Sequence, residues 1–267
     1  MSEAQSVEPL AAPAPARKLG LLAVFVGMVI RPRSTLTYLR DAGGLSWLWL
    51  AGLAIVMLIV SLVVLMPISR AAAEQQVEAM REQFGEDITP AQEAQIQQMS
   101  AFAGNPLIIV VFPAITGAIA LVIGWLFRGG VLYLFGLALG GQAKFGAMFR
   151  MGLWTTLPDV VRQVVTTAGT VIAGRALKSG LSFLVASPEG AIPSGSAALW
   201  QTFLSGIDVY WLWAIVLTVI GVAVTARLSW RKGLVVTLGY WVLTVLFTLG
   251  VTWLGLTLAA QFGAAPQ

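Results

Sequence analysis

Apolar residues in this chain come in long unbroken runs rather than in alternation with polar ones. The runs are Leu45–Ile68, Pro106–Leu126 with a continuation to Leu139, Phe145–Ile172, Ile207–Ala226 and Leu234–Leu258. A bilayer hydrocarbon core about 30 Å thick is crossed by about 20 apolar residues of helix, and each run is long enough. Backbone amides find no water in lipid, so only helices and closed barrels cross it. Continuous runs without a period of two predict helices. The predicted fold is all-α, a polytopic transmembrane bundle of five spans within residues 45–258.

The flanks are patterned differently. Residues 1–18 are rich in Ala, Pro, Glu and Ser and predict a disordered tail; residues 259–267 are read as a C-terminal tail. The apolar segment Leu19–Ile30 is too short to span and lacks a small-residue cleavage site after it, which argues against a secretory leader. It predicts a helix lying at the cytoplasmic membrane surface. Pro32 breaks that helix, Ser34 or Thr35 is placed to cap a second, and Gly43-Gly44 closes an interfacial region over 19–44.

Two polar inserts interrupt the spans. In Ser69–Asn105 the apolar positions Val77, Met80 and Phe84 recur at helical spacing, as do Ile96, Met99 and Phe102 or Ala103. Between them Thr89-Pro90-Ala91-Gln92 reads as a cap, a first helical residue and a capping-box partner. A helical hairpin over 70–103 is expected, the alternative being a solvated spacer. The second insert, Gly174–Gly206, is turn-rich, with short apolar pieces Leu181–Ala186 and Ala197–Leu204 resting on the outer surface.

Composition sharpens this picture. The chain has 267 residues, 58% hydrophobic and 10% charged, with mean hydropathy +0.84; soluble domains carry about 25% charge. Net charge is +4, and the basic residues flank spans, so nucleic acid is not an expected partner. Of 16 Lys and Arg residues, Arg70, Arg81, Arg175 and Lys178 fall on one side and Arg162 inside a span; the rest fall with the N-terminus. Basic loops stay cytoplasmic, which predicts N-in, C-out. Arg128 is counted on the inner side, reaching the headgroups from a helix that overshoots the membrane. Gly136 and Gly140 form a GxxxG that allows close helix contact.

Candidate chemistry is sparse. There is no Cys and no His, which removes the commonest base, nucleophilic dyads and most metal sites. No Walker lysine follows a glycine-rich loop. No enzyme activity, cofactor or metal is expected. The one intramembrane polar site is Pro158, Asp159 and Arg162 in the third run. Ionisable residues in spans are costly and face protein or a water-filled cavity. Spacing i, i+3 predicts an Asp159–Arg162 pair, serving either packing or a polar cavity or gate. Tyr210, Trp211 and Trp213 beside Asp208 read as an interfacial aromatic belt.

Several residues bring a family into view. Pro32 and Thr35 lie before the spans; Gly140-Gly141, Phe145 and Pro158 follow. Then Asp208, Tyr210, Trp211 and Trp213 lead to Leu217 and Gly221. In this order the chain resembles the Yip domain family, five-span proteins named for interaction with Ypt/Rab GTPases, over about residues 25–258. The resemblance implies a non-enzymatic multi-pass protein with N-in, C-out topology. Eukaryotic relatives act in vesicle traffic and membrane shaping and contact Rab GTPases. The short N-terminal arm and the large 69–105 insert look more like the bacterial branch, where there are no Rabs, so Rab binding is not carried over. The expected home is a bacterial cytoplasmic (inner) membrane. The expected role is a structural or accessory subunit of a membrane complex, with the lipid bilayer and a membrane protein or a second copy as partners. The alternative is a small-solute transporter or channel using the polar site of the third span.

Overall fold

The computed structural model describes residues 19–42, 44–84, 89–175, 177–185 and 195–263. Residues 1–18 and 264–267 and the Ser187-Pro188-Glu189-Gly190 turn lie outside the described residues, as do the side chains of Met80, Phe84, Gln92, Met99, Phe102 and Ala103; residues 259–263 of the expected C-terminal tail instead continue the last helix. The described residues are helical, with no strand among them: α1 (Leu21–Ile30), α2 (Pro32–Ala42), α3 (Trp47–Phe84), α4 (Pro90–Gly104), α5 (Phe112–Ala138), α6 (Phe145–Trp154), α7 (Leu157–Ala173), α8 (Gly195–Ser205), α9 (Val209–Ala226) and α10 (Trp230–Gly263). A π-turn, Leu107–Val111, leads into α5, and a single 3₁₀ turn, Ser182–Leu184, precedes α8. Four stretches are long and apolar enough to cross a membrane: Trp47–Gln75, Leu107–Ala138, Val209–Ala226 and Trp230–Leu258.

The third predicted span is not one helix. It forms α6 and α7, interrupted at Thr155 and Thr156. The cause is Pro158 at the second position of α7: it has no N–H to give Trp154, four residues earlier, so the ladder ends one turn before it. Thr155 and Thr156 hydroxyls fold back onto the Gly152 and Leu153 carbonyls at 2.8 and 2.7 Å, which supplies carbonyls near the break with local donors.

Boundaries elsewhere follow local chemistry. Helix α3 runs straight through Pro67 to Phe84, so the first arm of the 70–103 insert continues the span. Helix α4 opens at Pro90 as the turn residues dictate, and its Ile96 is 1% exposed. Helix α2 opens at Pro32, earlier than a Ser34 or Thr35 cap would place it; both hydroxyls instead donate to the Arg31 carbonyl at 3.0 Å. Gly140, with φ +85°, ends α5. Its N–H donates to the Leu137 carbonyl at 2.9 Å and that of Gly141 to Gly136 at 2.8 Å, the paired bonds of a Schellman cap. Gly140 is thus a cap rather than half of a helix-contact motif.

At this end of the bundle, Lys232 Nζ donates to the Leu139 carbonyl at 2.8 Å, Gln142 N–H to Ala226 at 3.0 Å, and an Arg40 guanidinium nitrogen to Val224 at 3.1 Å. Arg40 Nε also meets Asp41 Oδ1 at 2.7 Å, and that hydrogen bond holds the Asp41 carboxyl below the usual carboxylate range. Helices α1 and α2 dock here. Val24, Met28, Leu36 and Leu39 are buried, and Phe25 meets the Trp154 ring edge-on at 5.7 Å. The opposite face of α1 stays exposed, with Leu22 and Ile30 at 78% and 68%, suited to a lipid surface.

Candidate functional site: a charged cavity inside the bundle

Small residues bring the elements of the site together. A Cβ on Gly129 of α5 would lie 3.1 Å from the Phe149 Cα of α6, and one on Gly221 of α9 would lie 2.8 Å from Met151 Cγ. Backbones approaching this closely put side chains from the inner faces within hydrogen-bond reach. On the other flank of α7, Ser61 and Thr167 hydroxyls bond at 2.8 Å, and Gln163 Nε2 donates to Ser61 Oγ at 2.8 Å. These polar pairs lock α3 to α7.

Arg128 occupies the level of the α6–α7 break. It lies ten residues before the end of α5, about 15 Å along the axis. One terminal nitrogen donates to Thr218 Oγ1 at 2.7 Å and Thr155 Oγ1 at 3.0 Å, and the guanidinium lies 5.2 Å from the Tyr240 ring centre. Its Nε is buried without a protein partner. Arg128 therefore points into the bundle and not out to the headgroups. The three-residue neighbourhood Thr155, Thr218 and Tyr240 comes from the α6–α7 break, α9 and α10, which is why spacing along α5 alone did not reveal it.

The expected Asp159–Arg162 pair is not formed. Arg162 Nε meets Asp208 Oδ2 at 2.9 Å, and a terminal nitrogen donates to the Ser205 carbonyl at 2.7 Å. Asp208 caps α9, its Oδ1 accepting the Trp211 N–H at 2.8 Å. The clamp joins α7 to the α8–α9 junction, a partner 46 positions away that helical spacing does not reach. Asp208, a motif residue of the family resemblance, is the missed member of the site; an acid just before an apolar run is a readable cap signal.

Asp159 is left with no hydrogen bond or ion pair among the described residues. It sits in the first turn of α7 and is the exposed member of an otherwise buried stretch, Met151–Val160. The residue is surrounded by protein, yet its carboxylate opens on two cavities. One, of about 300 Å³, is shared with Arg128, Arg162, Thr218, Trp211 and Trp241. The other, of about 200 Å³, is shared with Trp125, Thr156 and Gln163. Arg128 and Arg162 line the larger cavity with Asp159, and Asp208 is already committed to Arg162. Pro158 itself is buried and sets the break that exposes its neighbour.

The aromatics near Asp208 do not all belong to a membrane-surface belt. Trp211 packs against Trp241 with ring centres 5.2 Å apart and planes tilted by 54°, and its Nε1 is buried without a hydrogen-bond partner among the described residues, while Trp213 packs on the core. Gly221 and the Gly140-Gly141 cap serve helix approach and termination. Pro32 starts α2. No cluster of metal-ligating side chains occurs among the described residues.

Long apolar helices around a small charged interior define a multi-pass integral membrane protein. Residues 26–252 match the Yip1 domain, and the chain belongs to the Yip1 domain family. Neither the curated proteins nor the solved structures returned a match.

Proposed function

We propose that this protein is a non-enzymatic accessory subunit of a membrane complex, crossing the bilayer five times with its N-terminus in the cytoplasm. The observation that carries the role is the Arg162–Asp208–Ser205 clamp. The most costly intramembrane charges are used to fix the ends of α7, α8 and α9 against each other, as suits a rigid docking body. The fifth crossing is α6 with α7, whose two lengths of 10 and 17 residues add to about 40 Å of helix. Support for the orientation comes from Arg40 and Lys232, which bind backbone at the same end of the bundle. Removing Arg128 from the inner count leaves the basic asymmetry in place. A bacterial inner membrane is the setting proposed.

Two measurements test this. Alkaline phosphatase fused after Gln267 is expected to be active and ordinary GFP dark; a bright GFP fusion would overturn five crossings. Purification of the full chain in mild detergent is expected to retain a membrane-protein partner, or a second copy, at fixed stoichiometry. A lone monomer that carries solute into liposomes would sink the accessory role.

A second reading has its own support. Asp159 without a partner, on a cavity flanked by two helix breaks, resembles the interrupted helices that build solute sites in transporters. In that reading the cavity binds a small polar solute.

A further inference from the structure

Two unlike charges face the larger cavity without meeting. No donor among the described residues reaches the Asp159 carboxylate. Arg128 has committed one terminal nitrogen to Thr155 and Thr218, while its Nε is buried with no protein partner. Arg128 lines the same cavity as Asp159, yet no ion pair joins them among the described residues. In a low-dielectric interior such charges attract strongly. Here the two threonines and the Tyr240 ring hold the guanidinium in place, and Asp159 is set in the first turn of α7.

We propose that the gap between Asp159 and Arg128 binds a zwitterion carrying a primary ammonium and an oxyanion, the ammonium on Asp159 and the oxyanion on Arg128. The inference rests on the solute-binding reading and gives it a ligand class. Charge count is the first reason. Arg162 and Asp208 neutralise each other, which leaves one anion and one cation. A dipolar ligand answers both, whereas a simple cation leaves Arg128 facing nothing and a simple anion leaves Asp159 so. Hydrogen bonding is the second. A carboxylate without donors requires N–H groups, which a primary ammonium has and a quaternary one lacks. Size is the third: about 300 Å³ lies at the small end of ligand sites. Trp211 and Trp241 supply apolar walls. The same chemistry occurs in a free amino acid and in a phosphatidylethanolamine headgroup.

The test follows thermal unfolding of the full-length protein in phosphatidylcholine nanodiscs. Glycine, trimethylglycine, glycinamide and acetate are added in turn, and a parallel set replaces half the lipid with phosphatidylethanolamine. A saturable rise of a few degrees is expected with glycine or with phosphatidylethanolamine, absent with trimethylglycine and lost in Asp159→Asn. A rise with glycine in phosphatidylcholine assigns a free solute; a rise only with phosphatidylethanolamine assigns the lipid. Glycinamide, acetate or trimethylglycine matching glycine would overturn the primary-ammonium zwitterion and leave solute binding standing. A phosphatidylethanolamine effect that persists in Asp159→Asn is a bulk bilayer effect and overturns the lipid assignment. No rise with any probe overturns both readings. If Asp159→Asn does not fold, the four-solute comparison on the native sequence still decides.

Discussion

Asp159 and Asp208 are the same residue type, each placed just after a helix break, yet they meet opposite fates. Asp208 is the N-cap of α9, with backbone in the extended region, so its side chain turns back to take the Trp211 N–H and presents its second oxygen to Arg162. Asp159 comes three residues after the Thr156 cap of α7. At that position the backbone is already helical, and the carboxylate accepts no hydrogen bond among the described residues. It gains from the helix dipole. Position relative to the cap, not identity, separates a carboxylate that holds the bundle together from one left open to a cavity.

The comparison breaks most readily at Asp208. Asp208→Ala removes a cap, about 1 kcal/mol, and strands Arg162; losing one member of a buried pair costs about 3–5 kcal/mol. Side-chain exposures of 25% and 16% moderate that figure, so a total of about 3 kcal/mol is expected in the unfolding midpoint or folded yield. Asp159→Ala is expected to cost under about 1 kcal/mol; equal losses would erase the distinction. A double-mutant cycle sharpens it next. Arg162→Leu with Asp208→Leu should be milder than Arg162→Leu alone, with a coupling of about 2 kcal/mol, while Arg162 with Asp159 should couple by under about 0.5 kcal/mol. The reverse ranking would restore the i, i+3 pair.

Smaller effects probe the frame around the two aspartates. Gly221→Ala drives a methyl into Met151 and crowds Thr155, at about 1–2 kcal/mol for overpacking. Because Thr155 holds Arg128, restoring space with Met151→Ala in the same chain should recover part of the loss; no recovery would place the damage elsewhere. Asp159→Asn should be the mildest change, within about 0.5 kcal/mol in the absence of ligand. A large loss would mean the carboxylate has a structural partner.

Much of the architecture is legible one residue at a time. Run length marks the apolar helices and Pro90 marks a helix start, because such signals depend on neighbours within a few positions; Pro32 reads only as a break and Gly140 as half of a GxxxG, whereas they start α2 and end α5. The family order from Pro32 to Gly221 is legible for the same reason. Pro158 reads from the sequence as part of a polar site within one span; the full interruption depends on Thr155 and Thr156 finding local carbonyls. The continuation of α3 through Pro67 is also hidden, since a proline signals a lost bond but not whether packing carries the helix past it.

The sequence by itself determined that the chain is helical, membrane-embedded and poor in chemistry, with Asp159 and Arg162 as its exceptional charges. Those properties follow from hydropathy and from residue types that are simply present or absent. Only the tertiary structure decided which charge meets which. Arg162 chose Asp208 over its helical neighbour because the α8–α9 junction delivers a cap carboxylate and a carbonyl to one guanidinium. Arg128 turned inward because a threonine of the α6–α7 break, a threonine of α9 and the Tyr240 ring await it there. Such choices are set by distances across the bundle of a few ångströms, and in a medium that screens little those distances outweigh proximity along the chain.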